Sequence, residues 1–200
     1  MAVPANVNNP SGFTPIKHSA GGTPNRTNTS ADYSIAGGLA SNIYRGSLVK
    51  PTGTGANIDV VAEGANPSIG VFKGVNYIDA GGSVQFRPYW GSGQTVQAGS
   101  TPEALVFDDP DLLFDGQVSG TAGLVNTNIG NTANVLIGTG SPLTGQSGDM
   151  VDQSTFSSSS TTQQLQVTAL RALPNNNYGQ YARAVLSIFL HYKNAVTTPY

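Results

Sequence analysis

Hydrophobic and polar positions in this chain change places in short bursts, and the most informative stretch runs from Ile69 to Asp109. Val71, Phe72, Val75, Tyr77 and Ile78 form an apolar run, Asp79-Ala80-Gly81-Gly82 reads as a turn, and Val84 and Phe86 then alternate with Gln85 and Arg87. That pattern predicts a β-hairpin with one buried face. A lone hairpin is marginal in water, so strands from elsewhere in the chain have to cover it. Further short strands are predicted at Asn42–Lys50, Asn57–Ala62, Ala104–Asp108, Leu112–Val118 and Ala133–Gly138, separated by turns rich in Gly, Pro, Asn and Asp. Over Gln163–Ala169, Leu165, Val167 and Ala169 alternate with Gln164, Gln166 and Thr168, which gives one apolar and one polar face. From Tyr181 to Tyr192, Ala184, Leu186, Ile188 and Leu190 fall on one face with Val185 and Phe189 on the other, as in a doubly covered strand; a three-turn helix is the rival. Short strands with turns every ten or so residues predict an all-β fold, a single β-sandwich or barrel-like domain. The expected core includes Phe72, Tyr77, Phe86, Trp90, Leu165, Val167, Leu186 and Ile188.

The first forty-one residues break the pattern. Residues 1–41 are Asn, Pro, Ser, Thr and Gly with isolated apolar positions and sustain no period, so they read as an extended N-terminal arm with no core of its own. Such an arm becomes ordered when another surface supplies burial and hydrogen-bond partners, and Phe13, Ile16, Lys17 and Tyr33 are the expected docking anchors. The expected organisation is thus an arm over 1–41, a β-domain over 42–193 and a tail over 194–200.

Composition narrows the function classes. Nine Lys and Arg against eleven Asp and Glu give a net charge of −2, and charged residues are 10% of the chain, far below the ~25% of an average domain. A surface without a basic stripe has no field to gather phosphates, so no nucleic-acid partner is expected. A near-neutral surface of Ser, Thr, Asn and Gln suits a protein held in an assembly. With no Cys there is no disulfide, thiolate metal site or cysteine nucleophile. MAVPANVNNPSG lacks a basic segment followed by an apolar one, and nowhere do eighteen apolar residues run together, so neither a cleaved signal nor a membrane span is expected.

Candidate chemistry is sparse. His18 and His191 have no carboxylate or serine placed by spacing to form a catalytic group. Asp108, Asp109, Asp111 and Asp115 could gather a cation, but leucines interrupt the ligand pattern and turn formation is the plainer reading. The loop IGTGSPLTGQSG has the glycines of a phosphate cradle without its Lys or following helix, and otherwise reads as a flexible surface turn. Asn25-Arg26-Thr27 and Asn28-Thr29-Ser30 match the glycosylation pattern only by chance in an Asn/Thr-rich arm. Tyr77, Tyr89 and Trp90 could make an aromatic sugar platform, against core packing under the hairpin; burial of Trp90 separates the two.

The run Gly70-Val71-Phe72-Lys73-Gly74-Val75-Asn76-Tyr77-Ile78-Asp79, then Phe86, Tyr89-Trp90 and Val106-Phe107-Asp108-Asp109-Pro110, resembles head decoration (cement) proteins of tailed bacteriophages. Thr144-Gly145-Gln146-Ser147, Leu173-Pro174-Asn175, Gly179-Gln180-Tyr181 and the closing strand with His191 extend the resemblance over roughly Ser41 to Lys193. It implies a β-rich, non-enzymatic virion protein on the outer surface of the head, often a homotrimer, that holds neighbouring major capsid protein subunits together. It implies no cofactor, metal or catalytic residue, and no nucleic-acid or membrane partner. The alternatives are another virion part, attached to tail or fibre, and a carbohydrate-binding β-sandwich.

Overall fold

In the computed structural model, which describes residues 6–22, 32–64 and 67–194, the apolar bursts become short strands. In chain order these are β1 (Thr14–His18), β2 (Ile43–Tyr44), β3 (Leu48–Pro51), β4 (Ile58–Val60), β5 (Gly70–Ile78), β6 (Val84–Arg87) and β7 (Tyr89–Trp90). They continue with β8 (Glu103–Phe107), β9 (Leu112–Gln117), β10 (Thr132–Ala133), β11 (Val135–Leu136), β12 (Met150–Val151), β13 (Leu165–Leu170) and β14 (Arg183–Ile188). Two single 3-10 turns, Asn126–Asn128 and Gln153–Thr155, are the helical elements of the described residues. The fold is all-β and sandwich-like, and the Tyr181–Tyr192 segment is strand rather than helix over Arg183–Ile188. Among the described residues no helix is long and apolar enough to cross a membrane.

Two antiparallel sheets form the layers. One has the order β1-β9-β14-β13-β10. In the other, β8 runs along one edge of β5, while β3 and β6 share the opposite edge, β3 at the start of β5 and β6 at its end. Between the sheets lies one core, to which Phe114, Leu165, Val167, Leu186 and Ile188 contribute from the first sheet and Leu48 and Val71 from the second. The far face of the second sheet carries another core of Val49, Phe72, Val75, Tyr77 and Val106, closed by Tyr33, Ile35, Ile43, Ile58 and Trp90. β5 is therefore covered on both faces, which is why its sequence reads as a nearly continuous apolar run.

Bulges set the phase of these strands. Against β8, β5 slips between Phe72 and Gly74, leaving Lys73 as the extra residue. Before the slip Val71 faces the inter-sheet core and Phe72 the outer one; after it Val75 and Tyr77 face the outer core. An unbroken period of two would have put Val75 on the face of Val71. In β13 a slip between Val167 and Ala169 does the same, so that Ala169, expected inside with Leu165 and Val167, is exposed and Leu170 packs on the core.

Where the structure describes the N-terminal arm, at 6–22 and 32–41, the arm packs on this domain. β1 is an edge strand on β9. Farther upstream, the Gln117 side-chain amide donates to the Val7 carbonyl and its Oε1 accepts from the Asn9 amide. Residues 33–35 lie extended between β4 and β8: the Ile58 amide donates to the Ser34 carbonyl and the Ala104 amide to the Tyr33 carbonyl. The surface that orders the segment belongs to its own chain. Composition could not show this, because backbone ladders order a segment without any apolar periodicity.

Candidate functional site

A cleft opens at the gap between β3 and β6 along β5. Its volume is about 480 Å³, and Ser11, Phe13, Thr14 and Pro15 face Arg45, Gly46, Phe72, Lys73, Phe86, Pro88, Phe107 and Gln146 across it. The two sides are fixed by a close backbone approach. The Phe13 amide donates to the Gly46 carbonyl at 2.8 Å. A Cβ on Gly12 would lie 2.6 Å from that carbonyl oxygen, and Gly12 and Gly46 have φ of 66° and 93°, so both positions require glycine. The β5 bulge directs Lys73 to this cleft, where its Nζ lies 5.9 Å from the centre of the Phe107 ring.

Phe86 forms the opposite wall. Its ring lies over Gly74, where a Cβ would come within 2.8 Å of it, so the missing side chain on β5 is the seat of the ring. Phe86 is nevertheless 56% exposed and Val84, two residues before it on the same face, 79%. The buried face of the hairpin is thus supplied by β5 alone, and Phe86 is removed from the expected core: β6 is the last strand of its sheet order, and the described residues leave this face of it largely uncovered. The turn itself is held as predicted. Asp79 Oδ1 accepts from the Ser83 and Gly81 amides and Oδ2 from Gln85; the Ser83 bond foremost, with Gln85, Gly81 and the Arg87 charge, holds the carboxyl below the usual range against an opposing effect of desolvation.

The glycine-rich loop over 138–148 borders the cleft and is packed, not loose. A Cβ on Gly140 would enter the Tyr44 ring at 2.1 Å, and one on Gly145 would meet the Pro88 side chain at 2.4 Å. Its amides are used internally: Gly145 donates to the Ser141 carbonyl, Ser147 to the Arg45 carbonyl and Gly138 to Asp149 Oδ1. Those amides are not available to cradle a phosphate. At the tip of this braced loop Leu143 is 94% exposed. Beneath it, Ser47 Oγ donates to Ser147 Oγ at 3.0 Å, and the buried Asp149 carboxyl is pushed up by desolvation, which the Gly138 amide and the two hydroxyls partly offset.

The acidic run after β8 is dispersed over separate partners. Asp108 accepts from Tyr33 Oη at 2.9 Å and pairs with Lys193 Nζ. Asp115 accepts the Arg183 Nε–H with both oxygens at 3.0 Å. Asp109 and Asp111 lie 3.6 and 4.0 Å from His18 Nε2. His18 Nδ1 accepts the Ala20 amide, which turns Nε2 toward the carboxylates. His18, Asp109 and Asp111 bring one ligand atom each within 4.8 Å of one another, at a partly exposed turn. His191 is buried, its Nδ1 accepting the Lys193 amide, and burial and then the Lys193 charge push its pKa down, so the imidazole is neutral. Neither histidine stands with a serine hydroxyl in a nucleophile–base pair among the described hydrogen bonds.

The expected anchors divide. Phe13 is buried in the inter-sheet core and Tyr33 in the outer core, so both are withdrawn from docking; Ile16, the extra residue of a bulge in β1, is half-buried, and Lys17 is exposed. Trp90 is 1% exposed and meets the buried Tyr77 edge-on at 5.7 Å between ring centres, while Tyr89 stacks on Tyr44. Those three aromatics offer no open sugar platform, and the carbohydrate reading that rested on them falls. The two glycosylation patterns lie in 23–31, outside the described residues, as does most of the tail over 194–200. Sequence reading missed Arg45, Pro88, Phe107 and Leu143. Only Arg45, beside Gly46, carried even a weak local signal, and a charge next to a glycine is too common to single it out. No family model matches the chain, and neither a curated protein nor a solved structure matches it.

Proposed function

We propose that the protein is a non-enzymatic structural protein of the head decoration type, which attaches to the outer surface of a tailed-bacteriophage head and bridges neighbouring major capsid protein subunits, with self-association into a trimer. The resemblance over Ser41 to Lys193 supplies the biological setting. The observation that carries a docking role is the exposure of Val84, Phe86 and Leu143 on braced backbone beside the cleft, in a chain whose other large apolar residues are mostly buried. Rigid apolar side chains on a nearly neutral surface lose little entropy on contact and meet little charge repulsion. Since the arm's Phe13 and Tyr33 belong to the core, attachment falls to this face of the β-domain. Binding the assembled lattice but not free subunits would stabilise the lattice by linkage, and repetition by symmetry lets each contact be modest.

The test is co-sedimentation of the purified full chain with expanded heads and, separately, with tails. Saturable occupancy on heads, reduced by Val84→Ser with Phe86→Ser in a variant that keeps its thermal midpoint within a few degrees, is the expected result. Binding to tails alone would move the protein to another virion part, and binding to neither would end the reading.

A further inference from the structure

We infer that the cleft between Pro15, Phe86, Pro88 and Phe107 takes an extended acidic peptide segment of the partner, its carboxylate held by Arg45 and Lys73 and an adjacent apolar side chain laid against the Phe86 ring. The inference rests on the docking function proposed above and specifies the chemistry of what docks.

Charge is the first argument. The chain has nine Lys and Arg residues, and two of them line this one cleft, whose walls include no Asp or Glu. Arg183 is paired with Asp115 and Lys193 with Asp108, whereas Arg45 and Lys73, like Lys17, Lys50, Arg87 and Arg171, are in no salt bridge among the described residues; what sets Arg45 and Lys73 apart is that they share one acid-free cleft. A single carboxylate would complete the site. Two cations are too few to track a nucleic-acid backbone, whose affinity grows with each phosphate neutralised.

Shape is the second. Besides Ser11, Thr14 and Gln146, the remaining walls include two prolines and the rings of Phe86 and Phe107, which favour an apolar group next to the acid. Moreover, β6, whose Phe86 walls the cleft, is the end of its sheet order, and among the described residues no strand pairs with its outer edge. An extended chain added along such an edge gains main-chain hydrogen bonds and places alternate side chains toward the cleft, a mode that a small free acid cannot use.

The experiment selects heptapeptides from a random displayed library on the immobilised full chain and measures the enriched sequences as labelled peptides by fluorescence anisotropy. Enrichment of Asp or Glu next to an aromatic or aliphatic residue is expected. Arg45→Gln and Lys73→Gln should each weaken the selected peptide roughly tenfold or more, the worth of one charge-assisted hydrogen bond, as should Asp→Asn within the peptide. Each variant is checked for an unchanged thermal midpoint. No enrichment, enrichment of neutral or basic sequences, or affinity unaltered in both variants would overturn the inference. Head binding separates it from the parent reading. Heads that bind the wild type and the Arg45→Gln, Lys73→Gln double variant alike refute the acidic-segment site and leave the decoration role; peptide binding without head binding does the reverse.

Discussion

Phe13 and Phe86 exchange the roles that sequence pattern alone gives them, and truncating each to Ala tests the exchange directly. Phe13 is 2% exposed, with its ring over Gly116 and against Leu186: a Cβ on Gly116 would lie 2.7 Å from each. Removing the ring leaves a void that the nearest backbone position, having no side chain, cannot fill, so the cost belongs in the range of about 3–5 kcal/mol for a buried Phe→Ala change. Against a total stability of about 5–15 kcal/mol this is a large fraction. At about 2–4 °C per kcal/mol for a chain of this size, the midpoint should fall by roughly 6–20 °C. For Phe86, a little under half of the surface is covered, so a full burial worth about 1.5–3 kcal/mol scales to about 1 kcal/mol. Urea unfolding followed by Trp90 fluorescence measures both, and the slope of the transition should stay unchanged. Equal costs for the two variants, or a Phe13→Ala cost below about 1 kcal/mol, would refute the placement of the N-terminal segment in the core.

Deleting residues 1–41 should abolish cooperative unfolding, because it strips Phe13, Tyr33 and Ile35 from the two cores and exposes the β9 edge; a truncated chain with a sharp thermal transition would contradict this. Asp149→Asn should raise stability at neutral pH and leave it unchanged in acid. The folded-state pKa is raised, so the contribution of Asp149 is fully present below its unfolded value and is lost as pH rises through the folded one; midpoints in urea across that pH window should diverge upward for the variant, and parallel curves would sink the idea. Arg183→Met should cost about 1–3 kcal/mol in urea unfolding, since it leaves the half-buried Asp115 carboxylate without its two-oxygen partner and frees the Ser11 contact; a neutral effect would mean that the pair is fully screened.

Some of this molecule was legible from residue order. The apolar bursts, their turn chemistry and the want of any sustained helical period establish the all-β fold, and the alternation in Leu165–Val167 and the Asp79 turn are local patterns that act over a few residues. Local patterns carry no information on which side of a strand becomes covered. Whether Phe86 is core or surface depends on a neighbour that β6 does not have, and whether Phe13 is anchor or core depends on Gly116 and Leu186, about a hundred positions or more away. The bulges at Lys73 and Thr168 add the same kind of decision, because one unpaired residue reverses the facing of everything after it and leaves no mark in composition. The candidate site is wholly of this second kind: Pro15, Arg45, Lys73, Pro88 and Phe107 come from separate stretches of chain, and only the approach of Gly12 to Gly46 and the gap between β3 and β6 bring them to one cleft.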